Sequence, residues 1–206
     1  MVQTLQATDV TLNDLIEKFD IQLVQDDRFF TEWQADFPDL TNEEKQFLDR
    51  IKAGYFNLIN YPPLLEKSIQ FAVVAPILFL AGFYLPPYQI KTEKSIEIAV
   101  EDEDTIIRGQ IDILLLKERV WLLVIESKRA AFSIEAGLAQ LLTYLLSNPN
   151  STKPSYGLIT SGGSFIFVKL VQGKVPQYAT SNEFNIRNRG NQLYDVFKIL
   201  KHISQL

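Results

Sequence analysis

Hydrophobic and polar positions change their period several times along this 206-residue chain. Leu12, Leu15, Ile16 and Phe19 share one helical face, and Thr11 and Asp14 stand where that helix would open. Thr41 and Glu44 have the spacing of a capping box, and the stripe Phe47, Leu48, Ile51, Tyr55, Leu58 and Ile59 follows them. Between the two, Phe29, Phe30, Trp33 and Phe37 form an irregular aromatic segment expected to pack under a loop. Pro62-Pro63 ends the second helix and starts another. Residues 1–60 therefore read as a helical N-terminal extension, docked on a core that runs from 61 to 206.

From Ile69 to Leu85 the chain is almost wholly apolar, with Gln70 the one polar exception. The run is at the short limit for a membrane span and contains Pro76 and Gly82, so a helix buried against a sheet is expected instead. Lys94 to Val100 alternates as a strand, and Glu101 to Asp104 makes a charged turn. Ser133 can cap a helix reaching about Ser147. Strands at Tyr156–Thr160 and Phe165–Val171 flank a Ser-Gly-Gly turn, and Val175–Thr180 follows a further turn. Leu193, Val196, Phe197, Leu200 and Ile203 give a last amphipathic helix. This order implies an α/β (α+β) fold, a mixed sheet with helices on both sides.

The stretch from Arg108 to Arg129, RGQIDILLLKERVWLLVIESKR, is apolar on both faces of two strands, as central strands are. Asp112 interrupts the first strand, and Glu126 and Lys128 stand at the end of the second. A buried carboxylate is costly unless a cation or hydrogen bonds satisfy it. Glu126 and Lys128 are two apart and point to one face of a strand. A five-residue hairpin loop, Lys117 to Trp121, sets Asp112 directly opposite Glu126; a three-residue loop makes them diagonal neighbours. An even-numbered loop sends them to opposite faces. The stretch thus reads as two carboxylates and an ammonium converging on one point.

Gly109-Gln110-Ile111-Asp112, thirteen further residues and Glu126-Ser127-Lys128 together resemble the PD-(D/E)XK nuclease superfamily. Gln140 and Tyr144, four apart on the next helix, resemble the Gln-x-x-x-Tyr motif of its RecB-like and type I restriction members. The likeness is closest to the amino-terminal nuclease domain of type I restriction R subunits, over roughly Pro62 to Leu170. It implies a restriction-endonuclease-like core and metal-dependent hydrolysis of phosphodiester bonds. Asp112, Glu126 and the Ser127 carbonyl would hold Mg²⁺ or Mn²⁺, with Lys128 and Gln140 serving the attacking water. Glu66 matches loosely the place from which the family adds a further metal-side carboxylate; a first-turn acid favoured by the helix dipole is the other reading. Tyr144, Arg108 and Arg129 would contact the nucleic-acid backbone, although surface salt bridges fit the two arginines equally well. The proline that names the family is absent before Asp112, where many members have Gly-x-x-Asp. A catalytically silent nuclease-fold module that binds nucleic acid or a protein is the alternative.

Composition narrows this further. The chain has no cysteine and one histidine, His202, so thiolate chemistry is excluded and a His-based triad has no support. No Walker A motif is present, so no motor activity is implied. The opening residues lack a secretory pattern, and a cytoplasmic protein is expected. Net charge is −5, yet residues 1–60 carry twelve acids against five bases and the remainder thirteen against fifteen. The core is thus mildly basic, in keeping with a nucleic-acid partner, DNA before RNA, while a protein partner or a homodimer stays open. The arrangement makes one sharp demand. Asp112 and Glu126 must lie on adjacent strands with both side chains on one face, and coordinates separating them would exclude it.

Overall fold

The computed structural model describes residues 3–61, 64–100, 105–129, 137–150 and 152–206. In chain order these form β1 (Gln3–Gln6), α1 (Leu12–Phe19), β2 (Gln22–Leu23), α2 (Asn42–Ile59) and α3 (Glu66–Ile69). A π-helical turn (Gln70–Val74) and α4 (Ala75–Leu80) continue α3, and β3 (Tyr88–Val100), β4 (Thr105–Lys117) and β5 (Val120–Ser127) follow. Then come α5 (Leu138–Leu146), β6 (Ser155–Thr160), β7 (Ser164–Val171), β8 (Gln177–Thr180), β9 (Phe184–Asn185) and α6 (Leu193–Ile203). The expected break at Pro62-Pro63, the charged turn at 101–104 and the Ser133 cap lie outside the described residues. Both N-terminal caps form as spaced: Thr11 with Asp14 and Thr41 with Glu44 each exchange side-chain and backbone hydrogen bonds.

The nine strands among the described residues join one mixed sheet in the order β1-β4-β5-β6-β7-β8-β2, with β3 also on β4 and β9 also on β7. β3 lies antiparallel along β4 from Thr105 to Lys117 and so takes one whole edge of it. The other edge is divided. β5 pairs antiparallel with Ile113–Lys117, and β1 pairs parallel with Thr105–Arg108. Helices cover both faces. Against α2, the α3–α4 run and α6 lie Ile113, Leu115, Leu123, Ile125, Leu158 and Phe167. Against α1 and α5 lie Ile107, Ile111, Leu114, Leu116, Val124 and Ile159.

The α3–α4 run buries Ile69, Val73, Val74, Ile77 and Leu78 on the core, as the apolar stretch predicts. Among the described residues no helix is long and apolar enough to cross a membrane. The N-terminal sixty residues differ from the expectation of a purely helical extension. They supply β1 and β2 to the common sheet, and Phe30, Leu40, Leu48, Ile51 and Tyr55 to the larger core cluster. Four polar-edged residues and a two-residue strand carry no readable period, which is why the sequence pattern passes over them.

A buried ionic clasp fixes this segment to the sheet. Lys169 Nζ on β7 donates to Glu32 Oε1 at 2.6 Å and to the Phe29 carbonyl at 2.8 Å, and Tyr156 Oη donates to Glu32 Oε1 at 2.7 Å. Burial raises the Glu32 carboxyl, but the Lys169 and Tyr156 hydrogen bonds outweigh it and hold the group below its ordinary value. Removing one partner strands the other charge in a site where both side chains are under 15% exposed. Lys169→Met is therefore expected to cost roughly 3–5 kcal/mol in urea unfolding. A loss under about 1 kcal/mol, the value of a surface pair, would contradict this.

Candidate active site

Among the described strands none pairs with the divided edge of β4 between Gly109 and Asp112, where β1 has ended and β5 has not begun. Backbone groups left open there need other partners, since an unmade buried hydrogen bond costs about 1–3 kcal/mol. Alternate carbonyls of a strand point to the same edge. Arg108 O accepts from Ala7 N–H at 2.7 Å, and Gln110 O, two residues on, accepts from Tyr144 Oη at 3.0 Å. The Asp112 carboxylate then takes the place of a ladder carbonyl, accepting from Ser127 N–H at 2.8 Å. Gly109 is required at this fork, because a Cβ would come within 2.7 Å of Ala7 Cβ and 2.8 Å of Tyr144 Cε1.

The β4–β5 hairpin turns through Glu118 and Arg119, both with positive φ (52° and 71°), so its loop has two residues. An even loop would send Asp112 and Glu126 to opposite faces. A bulge corrects the parity: Leu116 pairs with Trp121 but Leu115 with Leu123, leaving Leu122 as the extra residue. Beyond it the ladder runs Ile113 to Ile125, and one more step sets Asp112 against Glu126. The alternation of β4 also slips at this point. Ile107 and Ile111 face α5, and so do Leu114 and Leu116. Glu93, the β3 residue between the partners of Ile111 and Ile113, has φ 53° at the same level.

Asp112, Glu126, Lys128, Gln140, Glu66 and Arg108 all border one open cavity of about 780 Å³. Lys128 Nζ donates to Glu126 Oε1 at 2.8 Å and to Gln140 Oε1 at 2.5 Å. Gln140 Nε2 donates in turn to Tyr144 Oη at 2.6 Å, so a chain of hydrogen bonds runs from Glu126 to the β4 backbone. Glu126 is 2% exposed, and its Oε2 has no hydrogen-bond partner. Burial, then the Asp112 charge, pushes the Glu126 carboxyl up to about 8, although the Lys128 ammonium pulls it down. The 2.8 Å ion pair is therefore outweighed, and the pocket keeps a proton near neutrality. Burial likewise raises Asp112, against the Ser127 N–H and Lys128, and raises Glu66, with Asp112 adding to it.

Seven of the residues singled out in the sequence line this cavity: Asp112, Glu126, Lys128, Gln140, Tyr144, Arg108 and Glu66. Tyr144 is only 1% exposed, with its hydroxyl committed to Gln140 and Gln110. Through these two bonds it ties α5 to the open edge of β4. Arg108 borders the cavity and pairs with Glu97 at 2.8 Å, while Arg129 is exposed just past β5. Ser127 gives its N–H to Asp112, and its hydroxyl is buried without a partner. His202 lies half-buried, its ring 5.6 Å from that of Phe37. Sequence reasoning missed Gly109 and Gly137 as packing requirements. A Cβ on Gly137 would fall 3.1 Å from Lys128 Cε, so this glycine lets the start of α5 approach the lysine stem.

Among the described residues no group of three or more Asp, Glu or His side chains is gathered for an ion. The unpartnered Glu126 oxygen beside Asp112 nevertheless fits a hard cation that takes one or two carboxylates and keeps several waters. The metal-free state has a clear pH signature. Native Glu126 holds its proton to about pH 8, whereas the unfolded chain releases it near its ordinary value of 4.5. The native state then binds more protons, so stability falls as pH rises from 4.5 to about 8 and levels off above. The slope from this one group is at most about 1.4 kcal/mol per pH unit. Thermal melts in a chelator across that range should show the fall, and Glu126→Gln should flatten it. An unchanged slope in the variant would mean that Glu126 is not the group responsible.

The chain matches no model of a known protein family and none of the curated proteins. What the site can do is read from its own geometry.

Proposed function

We propose that this protein is a metal-dependent nuclease with a restriction-endonuclease-like core, hydrolysing phosphodiester bonds, with DNA as its substrate. The observation that carries this reading is the convergence of Asp112, Glu126 and Lys128 on one cavity, with a Glu126 oxygen left unpartnered. Glu32 Oε2 in the clasp is also unpartnered, but Glu126 shares its cavity with two further carboxylates, Asp112 and Glu66.

Asp112 and Glu126 would hold Mg²⁺ or Mn²⁺, with the Ser127 carbonyl and Glu66 as further oxygen donors. When bound, such a cation supplies charge neutralisation at the phosphate and a polarised water. Lys128 directs its ammonium into the same space and donates to developing negative charge on the attacked phosphate. Gln140 accepts from Lys128 and is itself fixed by Tyr144, so the ammonium points one way before substrate arrives. The cavity border carries Glu66, Glu97, Asp112 and Glu126 against Arg108 and Lys128. That excess of carboxylates repels a phosphate chain until a cation offsets it, so binding of nucleic acid here should itself require the metal.

Plasmid nicking with Mg²⁺ or Mn²⁺ tests the proposal, with Asp112→Asn and Lys128→Ala as variants. The wild type should cleave only with metal, and each variant should lose about 10²-fold or more. The two variants should part on metal binding. Mn²⁺ should raise the melting point of the wild type and of Lys128→Ala, by mass action on the folded state, and should do little for Asp112→Asn. Cleavage by Lys128→Ala at the wild-type rate would assign the activity elsewhere. Mn²⁺ stabilisation without any cleavage would favour the silent binding module.

A further inference from the structure

Gln70 stands out twice, first as the single polar residue in the apolar run from Ile69 to Leu85. Among the described residues it is also one of the few whose buried side-chain nitrogen or oxygen lacks a well-formed hydrogen bond. Its amide nevertheless lies close enough to the Asp112 carboxylate to favour the charged form. Glu66, one helical turn earlier, borders the cavity and interacts with the same carboxylate. Residues four apart share a helix face, so both project toward Asp112 from one side.

The backbone is specialised here. Ala75 N–H donates to Gln70 O, which makes the turn that begins at Gln70 a π-turn. One extra residue rotates the next stretch of helix by about 100°. Val74, Ile77 and Leu78 thereby stay on the core while Glu66 and Gln70 keep facing Asp112. An uninterrupted α-helix would have to give up one of the two. Leaving a glutamine amide buried with no formed partner costs free energy that any apolar residue of its volume would avoid. Metal-binding carboxylates are commonly held by such outer partners.

We infer that Gln70 is a positioning residue for Asp112, its side-chain amide orienting that carboxylate toward the cation site. This rests on the reading of Asp112 as a metal ligand. Ser127 N–H holds the carboxylate from β5, and the Gln70 amide approaches it from the helix without a formed hydrogen bond.

The test is a Mn²⁺ titration of the full chain followed by electron paramagnetic resonance. Wild type, Asp112→Asn, Gln70→Met and Gln70→Glu are compared, with metal-free melting points as the check on folding. Gln70→Met keeps the volume and removes the amide, and should bind Mn²⁺ about tenfold more weakly. Gln70→Glu places a further carboxylate beside Asp112 and should bind more tightly than wild type, which a merely structural role would not produce. Gln70→Met binding as tightly as wild type would overturn the inference. If Gln70→Met is too unstable to titrate, Gln70→Glu decides alone, and binding no tighter than wild type overturns it. If wild type binds no better than Asp112→Asn, the metal reading fails and this inference with it. Weakening by Asp112→Asn without any effect of Gln70→Met removes only the role of Gln70.

Discussion

One edge of β4 serves two strands, and the gap between them governs everything at the site. β1 takes Thr105–Arg108 and β5 takes Ile113–Lys117, so among the described strands none lies beside the four residues between on that edge. A gap in a buried sheet is tolerable only if its open polar groups are satisfied. Here side chains do this. Tyr144 serves the Gln110 carbonyl, and Asp112 serves the Ser127 N–H. The groups that close the gap are therefore the same groups that surround the cavity. Sheet geometry and candidate chemistry are one problem with one solution.

The central constellation was legible because it violates the rules of its surroundings. Asp112 and Glu126 are carboxylates in strands otherwise apolar on both faces, and such residues need a partner. Gln140 was legible from its spacing to Tyr144 on a helix. The register was not. A two-residue turn with a bulge gives the same pairing of Asp112 and Glu126 as the expected five-residue loop. Leu122, the extra residue, is a leucine among leucines, and nothing in its identity marks it. Two features of opposite parity cancelled, so the expected geometry was reached by a different route.

The rest was illegible for other physical reasons. β1 and β2 are too short to show a period, and their place in the sheet is set by partners about a hundred residues or more away in sequence. Burial decides the part played by Tyr144, and a single sequence does not display burial. Gln70 was visible only as an exception in an apolar run; the π-turn that aims it leaves no compositional mark. The charge split between the N-terminal residues and the remainder is real, but the first sixty residues are part of the sheet, so they are no detachable screen over the core.

The parallel seam between β1 and β4 bears on how the molecule assembles. β3, β4 and β5 are consecutive antiparallel strands, and such local pairings form early. They bring Asp112 and Glu126 side by side before the wall at Gln6, Ala7 and Thr8 can arrive, because β1 must close a loop spanning from Gln3 to Thr105. During that interval the acidic pair lies open to water on one side, which shields its repulsion. Docking of β1 then buries it. Because burial favours the protonated Glu126, this last step of sheet formation takes up a proton, and a lower pH or a neutralising cation should speed it rather than the earlier collapse.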